Sequence, residues 1–224
     1  MGTSPLDNNH KNVYSNYSNS NPLSNAILDD GTTVYNHENV CEYIDTKKLC
    51  KLHIENNPNL SLIHFNSRSL FKNHDAISEF LCTSYCDFTI SAVTETWLHQ
   101  DIPSSLIDIP GYNFIRNDRP NKRGGGVGIY IKEGISYKIH TELNKFSENF
   151  ETLFIDANFE GENYLIGVLY RPPDNPVKPF IDDLSNLLDH VSTYSKCYLL
   201  GDFNIDFLKY MLLCLYFLRI ILKF

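Results

Sequence analysis

Asp87-Phe88-Thr89-Ile90-Ser91-Ala92-Val93-Thr94 reads as a buried strand that ends on a carboxylate, Glu95. Upstream, Leu60-Ser61-Leu62-Ile63-His64-Phe65 is a second strand-like run, ending at Asn66. A helical segment lies between them, with Ile77, Phe80, Leu81 and Tyr85 on one face. Downstream, Pro110-Gly111 marks a turn before Tyr112 to Ile115, and Gly124-Gly125-Gly126 leads into the strand Val127 to Ile131. Glu151 to Phe159 and Asn163 to Tyr170 flank Gly161 as a hairpin pair. Pro176 to Tyr194 is helical, with Phe180, Leu184, Leu187, Leu188 and Val191 at helical spacing. Cys197 to Leu200 is a last strand, ending in Gly201-Asp202. Strands interleaved with two helices, plus antiparallel hairpins, point to a mixed-sheet α/β sandwich rather than a doubly wound parallel sheet.

At 224 residues the chain suffices for one sizeable core, or for one domain with a poorly ordered arm. A hydrophobic fraction of 42% with 14 Tyr and 14 Phe argues for a folded globule. Residues 1–59, rich in Asn and Ser at the start, read as a disordered arm and linker. Residues 60–210 form the globular domain, and residues 211–224 form an aberrant hydrophobic tail. That tail is too short for a comfortable membrane span and carries Arg219. The start of the chain has no apolar signal-peptide core, so the expected location is intracellular, in nucleus or cytoplasm, and not secreted. None of the six cysteines has C-x-x-C spacing; Cys82 and Cys86 lack a matching second pair, so all six are read as free, mostly buried thiols.

Four of the strands finish on a polar residue: Asn66, Glu95, Tyr170 and Asp202, with Asn204 just beyond the last. Polar groups at the ends of buried strands commonly gather at one rim of a sheet, where loops build sites. Carboxylate and amide oxygens suit a hard divalent cation, and no histidine cluster competes for a softer metal. His64, two residues before Asn66, reads as a satisfied core histidine. The net charge of −8 disfavours a bulk electrostatic grip on DNA, so nucleic-acid contact has to be local. Arg116, Arg119, Lys122 and Arg123 make one locally basic segment, open to two readings, a contact to the DNA backbone or a solvated loop. Gly124 to Gly126 is not a phosphate-cradling loop, since no Gly-Lys-Ser/Thr ending and no helix follow it.

Five stretches, in order, carry a family resemblance: Asn66-Ser67-Arg68-Ser69-Leu70, Glu95-Thr96-Trp97-Leu98, Arg123-Gly124-Gly125-Gly126-Val127, Tyr170-Arg171-Pro172-Pro173 and Gly201-Asp202-Phe203-Asn204-Ile205-Asp206. Together, from about Leu60 to Tyr210, they resemble the endonuclease/exonuclease/phosphatase superfamily, in the version found upstream of reverse transcriptase in non-LTR retrotransposons. The resemblance implies a four-layer α/β sandwich and a Mg²⁺- or Mn²⁺-dependent, DNA-nicking endonuclease that supplies a 3′-OH for target-primed reverse transcription. It implies Glu95 and Asn66 at the metal and Tyr170 on the scissile phosphate. Asp202 would act on the attacking water and Asn204 would fix the phosphate. Arg119, Lys122 and Arg123 are the candidate DNA contacts, and no small-molecule cofactor is implied. A reverse transcriptase normally shares the polypeptide in that family and is absent from this one.

The chain departs from the pattern of the family it resembles at one point. The family pattern continues after Gly-Asp-x-Asn to a terminal Ser-Asp-His, whose histidine acts with the second carboxylate on the water, and no Ser-Asp-His occurs here. The expectation is therefore a domain incomplete at its C-terminus, with impaired hydrolysis and a weak or lost hold on DNA. The alternative is a catalytically inactive retroelement remnant.

Overall fold

Ile90–Thr94 (β2) is buried at every position because it has a strand on either side and cover on both faces. Leu62–Asn66 (β1) pairs with it in parallel, Leu62 opposite Ile90 and Asn66 opposite Thr94. The crossover that parallel pairing requires is the helix Leu70–Thr83 (α1). Val127–Lys132 (β4) runs antiparallel to β2, and Tyr112–Asn117 (β3) antiparallel to β4, giving the order β1-β2-β4-β3. This computed structural model describes residues 60–83, 88–120, 124–145 and 147–205. The arm and linker of residues 1–59, the tail of residues 211–224, Tyr85, Lys122 and Arg123 lie outside the described residues.

A second four-stranded sheet has the order β5-β6-β7-β8, from Ser136–Ile139, Glu151–Phe159, Glu162–Tyr170 and Cys197–Asp202. The β6–β7 hairpin runs in unbroken register from Glu151 opposite Tyr170 to Phe159 opposite Glu162. Its loop is Glu160-Gly161, with φ of 52° and 83°. Two positive φ values in a two-residue loop give the turn twist that matches twisted strands. Strands β7 and β8 are parallel, and the helix Val177–Val191 (α2) carries the chain between them.

Alternation along the strands sorts side chains into three cores. Val127, Ile129 and Ile131 of β4 meet Leu153, Ile155 and Ala157 of β6 and Ile166 and Val168 of β7, filling the space between the sheets. Val93 and Tyr130 face the other way, under Leu70, Ile77 and Leu81 of α1. Phe154, Leu165 and Leu169 lie under Phe180, Leu184, Leu187, Leu188 and Val191 of α2. The result is helix, sheet, sheet, helix, the four-layer sandwich that the family resemblance implied. Each fully buried aliphatic or Phe side chain contributes about 1.5–3 kcal/mol.

The α2 face is the one its spacing predicts. On α1, Ile77 and Leu81 are buried while Phe80 is half-buried, its ring 5.6 Å from Phe65 and 6.2 Å from Phe88. Strand β5 was not foreseen, since all four of its residues are exposed and it holds only the edge of its sheet. The reading of mostly buried thiols needs correcting at Cys82, which is free and exposed on α1. Cys197, also free, is partly buried at the start of β8, and burial pushes its thiol up to about 11. Alkylation of the full chain with iodoacetamide at pH 8 should therefore label Cys82 well before Cys197, because the thiolate is the nucleophile. Equal labelling, read by peptide mass mapping, would mean that β8 is not packed as described. No helix among the described residues is long and apolar enough to cross a membrane.

Candidate active site

Parallel neighbours leave a sheet at the same end, and each sheet here contains one parallel pair. The exits of β1 and β2 bring Asn66 beside Thr94 and Glu95, and those of β7 and β8 bring Tyr170 opposite Asp202. Face-to-face packing of the sheets joins the two exits. Asn66 Nδ2 donates to Glu95 Oε1 at 2.9 Å and to Asp202 Oδ2 at 2.6 Å, across 136 residues of sequence. The second oxygen of Asp202 accepts the Asn204 backbone N–H at 3.2 Å. One rim thus gathers four of the polar strand ends singled out in the sequence.

The loops behind these groups are tied together. Ser67 Oγ donates to the carbonyls of Thr94 and Glu95, both at 3.0 Å, and the Ser69 N–H donates to the Glu95 carbonyl at 2.9 Å. Glu95 is held at φ 53°, in the left-handed region, a strain that persists only where neighbours fix the backbone. On the other sheet, Arg171 is 1% exposed and its ring-facing side lies over Phe180. Its Nη1 donates to the Asn204 carbonyl at 2.8 Å, while Asn204 Nδ2 donates back to the Arg171 carbonyl at 2.7 Å. Asn204 is thereby fixed at φ 47°, one NH₂ hydrogen already engaged. A Cβ on Gly201 would collide with the Leu169 carbonyl oxygen, so only glycine lets β8 approach β7 just before Asp202.

Tyr170 is 5% exposed, and its phenol is pushed up to about 12, first by burial and then by the charge of Glu95, with Arg119 opposing. It stays protonated at neutral pH and is equipped to donate a hydrogen bond to an anion. Directly opposite on β6, Glu151 is 1% exposed; one carboxylate oxygen accepts from Arg119 and the other from the Gly126 N–H. Burial raises the Glu151 carboxyl above its usual range, with Arg119 and the Gly126 N–H pulling the other way. The Arg119 guanidinium, 5.8 Å from the Tyr170 ring centre, is turned inward onto this carboxylate. It also occupies the space that a Cβ on Gly125 would need, and Thr96 Oγ1 occupies that of Gly126. The glycine run therefore serves as a close-packed turn beside Glu95.

Sequence reading missed Glu151 as part of this cluster. Counting outward from Gly161 along the foreseen hairpin places it opposite Tyr170, and that was the available signal. His64 Nε2 hydrogen-bonds Thr94 Oγ1 at 3.0 Å, and burial lowers its pKa, so it is satisfied within the sheet. Among the described residues no group of three or more His, Cys, Asp or Glu side chains could hold a metal ion. The oxygen donors of Glu95, Asp202 and Asn66 nevertheless fit a hard cation that takes few protein ligands and leaves its other positions to water and phosphate. Their present arrangement supports this, since a single amide NH₂ stands between two carboxylates that would otherwise repel.

No family model and no curated protein matches the sequence. Among solved structures, a humanized TDP2 of D. rerio carrying 14 mutations superposes with a TM-score of 0.51 at 12% identity, over 70% of this chain and 71% of that one. TDP2 from C. elegans gives 0.50 at 12% identity, over 66% of this chain and 48% of that one. The endonuclease domain of TRAS1, a telomere-specific non-LTR retrotransposon, gives 0.48 at 12% identity, over 66% and 58%. The chain thus spans between 48% and 71% of the length of these structures. With its two mixed sheets, its outer helices and its rim of strand ends, the chain has the endonuclease/exonuclease/phosphatase fold.

Proposed function

We propose that this chain hydrolyses phosphodiester bonds in DNA, as the nicking endonuclease of a non-LTR retrotransposon. The observation that carries this is the Asn66 amide bridging Glu95 and Asp202 from opposite sheets, beside a Tyr170 phenol that keeps its proton. The retrotransposon assignment rests on the five sequence stretches.

In this reading a scissile phosphate lies over the rim. Tyr170 donates to a non-bridging oxygen and steadies the charge that grows as the phosphorus becomes five-coordinate. Asn204 holds the phosphate through the second hydrogen of its amide, the first being donated to the Arg171 carbonyl. Asp202 takes the proton of the attacking water, the new P–O bond forms, and the bond to the 3′ oxygen breaks; that oxygen takes a proton from solvent, leaving a 3′-OH and a 5′-phosphate. Glu95 with Asn66 would hold a divalent cation, Mg²⁺ or Mn²⁺, which would supply charge neutralisation at the phosphate and at the leaving oxygen. Arg119 acts on DNA indirectly through Tyr170 rather than by reaching outward.

The second reading is a fold kept without catalysis. One assay separates the two. Purified full chain is incubated with supercoiled plasmid and Mg²⁺, and nicked circles that disappear in EDTA are the expected result. Folded protein that leaves the plasmid supercoiled at every divalent cation tried would establish the inactive remnant instead.

A further inference from the structure

Arg171 is fully buried, directly after Tyr170 at the exit of β7. Arg116 and Arg119 are less buried, and each has a carboxylate, Asp118 at 3.1 Å and Glu151. Among the described residues no carboxylate pairs with Arg171, and its Nε has no hydrogen-bond partner. A buried charge without a counter-charge is costly, and an apolar side chain would pack over Phe180 without that cost. What the guanidinium supplies, and a Met or Leu cannot, is a pair of donors splayed from one rigid plane. Nη1 donates to the Asn204 carbonyl at 2.8 Å, and Nη2 donates to the Asn175 carbonyl, in the loop that leads into α2. Asn175 is anchored in turn, its Nδ2 donating to the Glu148 carbonyl. The Arg171 main chain adds two more ties. Its N–H donates to the Asp202 carbonyl at 2.9 Å, and its carbonyl accepts Asn204 Nδ2 at 2.7 Å. Apart from these, the bond described at Asn204 is the one from its N–H to Asp202 Oδ1, on an exposed residue held at φ 47°.

We propose that Arg171 is a positioning residue, whose guanidinium holds the Asn204 main chain so that the second amide hydrogen of Asn204 meets the phosphate. It touches no DNA itself. The proposal rests on the phosphodiester reading above and adds a residue that the reading does not use. The main-chain ties survive any substitution at Arg171, whereas the grip on the Asn204 and Asn175 carbonyls belongs to the guanidinium alone. Losing it frees the exit of β8 from the loop before α2, and a small displacement of a group that holds a reacting phosphate is expensive in rate.

A double-mutant cycle on the full chain tests this, read by plasmid nicking and by the anisotropy of a short labelled duplex in Ca²⁺ buffer. Arg171→Met and Asn204→Ala should each lower the nicking kcat/KM by about 10–100-fold. The double variant should fall within about threefold of the slower single, because a guide matters little once the group it guides is gone. Arg171→Lys, which keeps the charge but not the fork, should lie between the wild type and Arg171→Met. If Arg171→Met does not melt cooperatively, Arg171→Lys takes its place in the cycle. A merely structural role would act whatever residue stands at 204, so losses that multiply would overturn the proposal, as would Arg171→Met nicking like the wild type. If the wild type binds the duplex without nicking it, the same cycle is read on Kd, with the same two outcomes. Multiplying losses sink the positioning role alone, whereas a folded wild type that neither binds nor nicks sinks the phosphodiester reading with it.

Discussion

Asp202→Ala is expected to lower plasmid nicking by about 10²–10⁴-fold, the usual contribution of a positioned general base, with little change in thermal stability. Activity falls because no other described carboxylate shares both the Asn66 amide and the Asn204 N–H. Stability holds because the atoms left behind are not stranded. Asn66 is exposed and keeps its bond to Glu95, and the Asn204 N–H is open to water. The loss also relieves the repulsion between two carboxylates drawn to one amide, so a change within about 0.5 kcal/mol is expected. Nicking time courses and melting curves on the same preparations check both halves. Wild-type nicking in this variant would remove Asp202 from the mechanism, and a steep fall in melting temperature would recast it as a structural residue.

Glu151→Ala reverses the pattern, with a loss of about 3 kcal/mol in folding stability, because breaking a buried pair leaves a charge without its partner. Here the stranded groups are the Arg119 guanidinium, which is mostly buried, and the Gly126 N–H. For a domain of this size the melting temperature should drop on the order of 5–10 °C. Replacing both partners, as in Arg119→Met with Glu151→Met, should recover much of that loss, since an apolar pair of similar volume avoids the desolvation penalty. If the double replacement costs the sum of the singles, the pair is not what holds this corner. The pH dependence has a definite sign. Burial raises the Glu151 carboxyl above 4.5, so its contribution is fully present below that value and is lost as pH rises through the higher, folded value. Wild-type stability should thus decline with pH across this window, and Glu151→Gln should flatten the decline.

Much of this was legible in the sequence because it depends on local pattern. Helix α2 has an apolar stripe at helical spacing, and the β6–β7 hairpin has apolar runs on either side of a glycine. The residues of the rim were legible for a different reason, as polar ends to apolar strands. What the sequence could not convey depends on tertiary placement. Strand β5 has only four residues and no buried face, too short a run to mark a strand. Arg119 lies in a basic loop without period, and its inward turn follows from a carboxylate that is 32 residues away in sequence and comes near only when the sheets pack. Glu151 was placed correctly on a strand, yet its role depends on which residue faces it and on the glycine turn beside it.

The sheets divide the chain cleanly. Every strand of the first comes from Leu62–Lys132 and every strand of the second from Ser136–Asp202, with a single passage between them at Gly134. Asn66 and Glu95 belong to the first stretch, and Tyr170, Asp202 and Asn204 to the second. Each stretch can complete its own strand pairing without the other, and the rim exists only once the two sheets have packed. The same division makes the molecule a natural candidate for fragment complementation. A backbone cut at Gly134 breaks no ladder, and two separately made halves would regain the rim only by finding each other.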